Sequence, residues 1–197
     1  MNTFTNNKAA KYTSLFLFFV FTLIEVYYKQ TSIFYILYLF WFDELIKTVF
    51  ERITYMFKKE KIENPIQFLQ NVKNKFFMLF VYFIFIVIIF GLVIDRNDFD
   101  LIGINLTVLA FQNIFFNFSI ITFILREFYL YINTLKSNDD NYSVSNGIII
   151  LHISIILGIF SWFLLTKKLH VSMEFIGIIS ITPFLLLKAF FEINSVD

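Results

Sequence analysis

Residues 76–94 read FFMLFVYFIFIVIIFGLVI, a run without a charge, an amide or a proline. As a helix it is roughly 28 Å long, about the thickness of a bilayer's hydrocarbon core. Lipid offers no partner to backbone N–H and C=O groups, so a single segment can cross it only as a helix. The run therefore predicts an all-α, polytopic transmembrane helix bundle, and the rest of the chain is read outward from it.

On its amino-terminal side lies the main polar linker, residues 58–75, in which Asn64-Pro65 has the form of an N-cap followed by proline at the first helical position. On its carboxy-terminal side is a short acidic turn, Asp95 to Asp100. Five further spans follow from hydropathy, giving 12–28, 31–50, 76–94, 101–125, 147–166 and 171–191 as a single transmembrane domain. The first span ends in Glu25-Val26-Tyr27-Tyr28-Lys29 with no small-residue cleavage site, so it reads as uncleaved. Spans one and two form either a hairpin or one long tilted helix. Beyond Asp43-Glu44 the second span continues with Leu45, Ile46, Val49, Phe50, Ile53 and Phe57 at helical spacing, which predicts an amphipathic face. The fourth helix is expected to run unbroken to about Leu135. Pro183 falls inside span six, where a kink is expected.

Lys and Arg set the threading. With the amino terminus inside, twelve basic residues fall on the inner side and four (Lys29, Arg96, Lys167 and Lys168) on the outer, which predicts an N-in, C-in chain. The expected home is the cytoplasmic membrane of a bacterium, with an organellar inner membrane as the alternative. The chain's 30 Phe and its excess of Lys over Arg are those of AT-rich codon usage, a blander account than an aromatic lining. A net charge of +1 without a basic cluster argues against nucleic acid as a partner, and the absence of cysteine excludes disulfides and thiolate metal sites. The lipid bilayer is the expected partner, together with a second copy or another membrane subunit.

Polar residues inside spans are the candidate functional groups. Asn105, Gln112, Ser119 and Arg126 recur every seven residues and define a polar seam on the fourth helix. Interhelical hydrogen bonding is its plain reading and a hydrated path the functional one. Ser154-x-x-x-Gly158 is a small-residue motif for close helix approach. The threading collects Asp43, Glu44, Arg126, Glu127, His152, Lys188 and Glu192 at the inner membrane level, from four helices. Glu25, His170 and Glu174 fall near the outer face and read as interfacial. His152 is the sharpest single group, as a buried neutral imidazole, a proton carrier, or a metal ligand with Asp43, Glu44 and Glu127. No HExxH, Gly-rich phosphate loop or GxSxG is present. No cofactor is expected.

Three patches resemble a family of small bacterial six-span membrane proteins classed only as a domain of unknown function. They are Phe40-Trp41-Phe42-Asp43-Glu44, Leu151-His152 with Ile155-Ile156-Leu157-Gly158, and Lys188-x-x-x-Glu192. Glu44 stands where that family has an amide, and Ile159 replaces its second glycine. The resemblance implies six helices and a multipass membrane protein, and no activity. The composite expectation is a non-enzymatic membrane component whose inner polar cluster organises the bundle or meets a partner. The alternatives are a small ion or proton channel or transporter, a metal-dependent intramembrane enzyme, and a hydrophobic subunit of a larger complex.

Overall fold

The computed structural model describes residues 3–28, 32–94, 96, 98–136, 147–167 and 173–194, with side chains left aside at 3–6, 61, 134–136, 165–167, 173–180 and 194. The helices are α1 (Thr3–Tyr27), α2 (Ile33–Lys58), α3 (Pro65–Phe85), α4 (Phe99–Leu109), α5 (Ile114–Lys136), α6 (Gly147–Lys167) and α7 (Met173–Asn194). A 3-10 turn, Lys59–Lys61, follows α2, and α3 continues as a π-helical segment, Ile86–Val93. Among the described residues there is no strand. Among the described residues four stretches are long and apolar enough to cross a membrane: Asn7–Tyr27, Pro65–Val93, Phe99–Asn133 and Gly147–Leu164.

α2 is the hub. Seven consecutive residues, Phe34 to Phe40, are buried, so this part of the helix is enclosed on every side. It packs against α3, α5, α6, α7, α4 and the π segment. The rings of Phe18 and Phe40 are 5.9 Å apart. One continuous helix would hold these residues about 33 Å apart along its axis, so α1 and α2 form a hairpin. Its connection, residues 29–31, lies outside the described residues. Past Asp43 the expected amphipathic pattern does not hold, because Val49 and Phe57 are exposed while Glu44, Thr48 and Lys58 are buried. Charged partners on neighbouring helices draw the polar face inward there.

α3 starts as its sequence predicts. The Asn64 side chain accepts from Gln67 N at 3.2 Å with Pro65 in the first turn. The long apolar run is not a uniform α-helix, however. Ile94 N donates to Ile89 O at 2.9 Å, five residues back, and the wider turn is held from outside. Asn105 donates to Gly91 O at 3.2 Å and takes the Ser32 hydroxyl at 2.6 Å, tying π segment, α4 and the start of α2 together.

The fourth span is broken, which corrects the expectation of one unbroken helix. Phe111 N donates to Val108 O at 3.1 Å and Gln112 N to Thr107 O at 2.8 Å, the two bonds of a Schellman ending. Phe111 occupies the left-handed position at φ 58°, where glycine is usual. Asn113 then starts α5 by accepting Phe116 N at 2.8 Å. Backbone Schellman bonds on the α4 side of the break and the Asn113 side-chain cap on the α5 side replace the bonds that a continuous helix would have made.

Gly158 is the close approach that the small-residue spacing foretold. A Cβ there would sit 2.8 Å from Phe90 Cε1 and 3.3 Å from Ile33 Cγ2. Phe90 is buried and cannot swing aside. Gly158→Ala is therefore expected to destabilise the bundle by about 1–3 kcal/mol through overpacking. The melting midpoint in detergent, read by size-exclusion fluorescence, checks it, and an unchanged midpoint would contradict the contact.

Candidate functional site

The motif Phe40-Trp41-Phe42-Asp43-Glu44 sits on α2 where five helices meet, and each side chain finds a different neighbour. Phe40 lies beneath the Lys188 ammonium, 5.6 Å from ring centre to Nζ. Trp41 donates its indole N–H to Leu79 O at 2.7 Å, on α3. Phe42 packs edge-on against Phe111 and Phe116. Asp43 and Glu44 point to opposite parts of a buried charge cluster.

Asp43 is the centre. Its Oδ1 accepts from Arg126 Nη2 on α5, and its Oδ2 pairs with Lys188 Nζ on α7 and with Lys47 Nζ at 3.0 Å, one turn along α2. Glu192 closes the ring, 3.4 Å from Lys188 and 3.8 Å from both Lys47 and Arg126. Glu127 takes Arg126 Nε at 2.8 Å. Three carboxylates, Asp43, Glu127 and Glu192, thus face Arg126, Lys188 and Lys47, and Lys11 of α1 lies within the field of the same cluster. Asp43, Arg126, Lys188 and Glu192 are each no more than 5% exposed. Ions so far from water are tolerable only when paired and hydrogen-bonded on all sides, as these are.

Glu44 forms a second node. Its Oε1 lies 2.6 Å from Lys75 Nζ on α3, and Lys75 also reaches Glu51 at 2.9 Å. Its Oε2 rests against Gly147, the first residue of α6, where a Cβ would come within 1.5 Å. Only glycine admits the carboxylate to this helix N-terminus, whose partial positive charge favours an anion.

Six of the seven residues assigned to the inner cluster come together, namely Asp43, Glu44, Arg126, Glu127, Lys188 and Glu192. His152 does not join them. It lies exposed on the outer side of α6, hydrogen-bonded through Nδ1 to the Tyr82 hydroxyl at 2.9 Å. The seam divides as well. Asn105 and Ser119 are buried, while Gln112 is exposed in the α4–α5 break, which resets the helical phase. Glu25 is buried rather than interfacial, and its Oε2 accepts from Asn113 at 3.0 Å. The side chains of His170 and Glu174 lie outside the described residues.

Lys47, Glu51, Lys75 and Gly147 belong to the site although sequence reasoning left them in linkers and span ends. Two spacings carried a signal. Asp43 and Lys47 stand four apart, and Glu44 and Glu51 stand seven apart, each pair on one helix face. Lys75 is separated from its partners by a whole hairpin and left no such trace.

Among the described residues no three His, Asp or Glu side chains converge as a metal site. The carboxylates that a metal would need are already bonded to Arg and Lys. No family model matches this chain, and neither a curated protein nor a solved structure is similar to it.

Proposed function

We propose that this chain is a non-enzymatic, multipass component of a bacterial cytoplasmic membrane, in which the Asp43 cluster clamps the helices at the inner end. The observation that carries the reading is the triple pairing of Asp43. One buried carboxylate is bonded to cations from α2, α5 and α7, so three of its roughly four acceptor sites are committed to holding helices together. Six passes with both termini inside fit the alternating run of the helices and the twelve-to-four bias of basic residues. Exposed apolar side chains on several helices, such as Phe16, Phe80, Ile121, Ile156 and Phe190, suit a lipid-facing belt. The resemblance of the three patches to the six-span bacterial family suits the multipass part of this reading, and such a component would serve as a partner-binding or self-associating subunit.

A conducting path is disfavoured by what lies above the clamp. Phe18, Phe40 and Phe123 form a buried aromatic layer, with ring centroids 5.9 Å and 6.1 Å from Phe18. This layer separates the clamp from the polar groups nearer the opposite end. Purified protein in proteoliposomes is expected to show no proton, Na⁺ or K⁺ flux between about pH 5 and 8. A wild-type flux that disappears with Arg126→Leu or His152→Ala would overturn the proposal in favour of a transporter. His152→Ala itself is expected to shift the melting midpoint by about 2 °C or less, because it loses one peripheral hydrogen bond.

A further inference from the structure

Lipid tails cover apolar side chains without selecting among them, so an exposed apolar stripe on a span says little by itself. A polar group within such a stripe says more. On α6 the small residues Ser154, Gly158 and Ser161 lie on the buried face. The opposite face exposes Ile149, His152, Ile156, Ile159 and Phe163. Their spacing of three, four, three and four residues is the a/d repeat of a helix that meets another along a seam. One position of that seam is an imidazole.

The depth of the imidazole follows from its partner. His152 Nδ1 is hydrogen-bonded to the Tyr82 hydroxyl at 2.9 Å. Tyr82 is the seventh residue of the uncharged run 76–94, about 9 Å from the inner end of that run. In the multipass reading proposed above, on which this inference rests, His152 therefore faces acyl chains rather than headgroups. Its Nδ1 is taken, and Nε2 lies on the far side of the exposed ring. Among the described residues Nε2 has no hydrogen-bond partner, and acyl chains supply none.

We propose that α6 pairs in parallel with α6 of a second copy of this chain, along the stripe 149–163, with the two His152 side chains hydrogen-bonded to each other. A two-fold pair sets every residue at the depth of its own counterpart, so the second copy brings a polar group to the level where one is missing. The chemistry is self-complementary. A neutral imidazole carries one N–H and one bare nitrogen, so the Nε2–H of one copy donates to Nε2 of the other. The two copies then hold opposite tautomers, and Tyr82 serves both. Its hydroxyl donates to Nδ1 in the copy whose Nε2 carries the proton, and accepts from Nδ1–H in the other. A foreign helix would need a polar group of its own at this depth, and a lipid headgroup would have to sink about 9 Å to reach it.

The chain contains no cysteine, so a single introduced thiol reports position without background. Ile156→Cys, one turn from His152 on the stripe, is reconstituted in phosphatidylcholine vesicles and oxidised with copper phenanthroline over a range of lipid-to-protein ratios. A disulfide-linked dimer is expected. Its yield should withstand lipid dilution that abolishes any from Ile121→Cys, an exposed site on α5. Adding His152→Phe, which keeps a ring and removes both nitrogens, should weaken the dimer about ten-fold. Adding His152→Gln, whose amide both donates and accepts, should retain it in large part. His152 is exposed, so these substitutions leave the bundle folded. Equal yields from Ile156→Cys and Ile121→Cys would overturn the proposal, as would a dimer indifferent to His152→Phe. So would monomer at every ratio in protein that resists alkaline extraction from the vesicles, a result that leaves the multipass reading standing. Protein released by alkali would overturn both.

Discussion

Asp43→Ala is expected to cost the folded bundle about 3–5 kcal/mol, most or all of its stability if it is as marginal as most domains. The loss is not that of one contact. Arg126, Lys188 and Lys47 would be left facing one another in the interior, with Glu192 at 3.4–3.8 Å as their remaining shared acid. The measurement is the fraction of monodisperse protein in mild detergent after a heating series. Lys188→Met in the same chain should recover part of the loss, because it removes a stranded charge and fills the space with an apolar chain of similar length. The two substitutions should therefore be strongly non-additive. Asp43→Ala protein that melts within a degree or two of wild type would show that water reaches the cluster and that it is no clamp.

Phe123→Ala should have a loss of similar size, about 3–5 kcal/mol, for a different reason. Its ring is almost completely buried, 6.1 Å from the Phe18 ring. It also lies under two of the clamp's cations, with Arg126 Cζ at 5.4 Å and Lys188 Nζ at 5.9 Å from its centre. Truncation opens a cavity in the aromatic layer and removes the π face that helps to hold both charges. Phe123→Leu separates these effects. It keeps much of the volume and loses the ring, so its own cost should be of the order of a cation–π contact, about 0.5–2 kcal/mol. Midpoints of the three proteins in one detergent check the order wild type, Leu, Ala. Equal midpoints for Phe123→Ala and wild type would mean that the layer is not packed.

Much of the site was legible because a membrane restricts where charge can go. Asp43, Arg126 and Lys188 stand in or beside apolar stretches, and threading those stretches through a bilayer of known thickness puts them at one level. The same reasoning failed for His152. Level along the axis follows from counting residues, whereas the direction around the helix depends on which neighbours are present. His152 shares the cluster's level and faces Tyr82 instead. Gln112 failed for another reason: a seven-residue repeat specifies a face only while the helix is continuous, and the Schellman turn at Phe111 interrupts it. Glu25 was read as interfacial from its place near a span end. That place said nothing of the Asn113 cap brought to it by the break in the fourth span.

The run at residues 76–94 by itself determined the class of this protein: a helical chain with stretches long and apolar enough for a bilayer. Backbone hydrogen bonds in lipid have no other solution, so that conclusion needed no partner residues. The tertiary structure decided how the run is used. Its last turns form a π-helical segment, and Asn105, a residue of another helix, bonds Gly91 O at its end. Its neighbour Lys75 leaves the linker to bind Glu44 and Glu51 across a hairpin. Hydropathy is a property of a segment and can be read along the chain. Pairing is a property of faces that meet, and those faces exist only once the helices are packed.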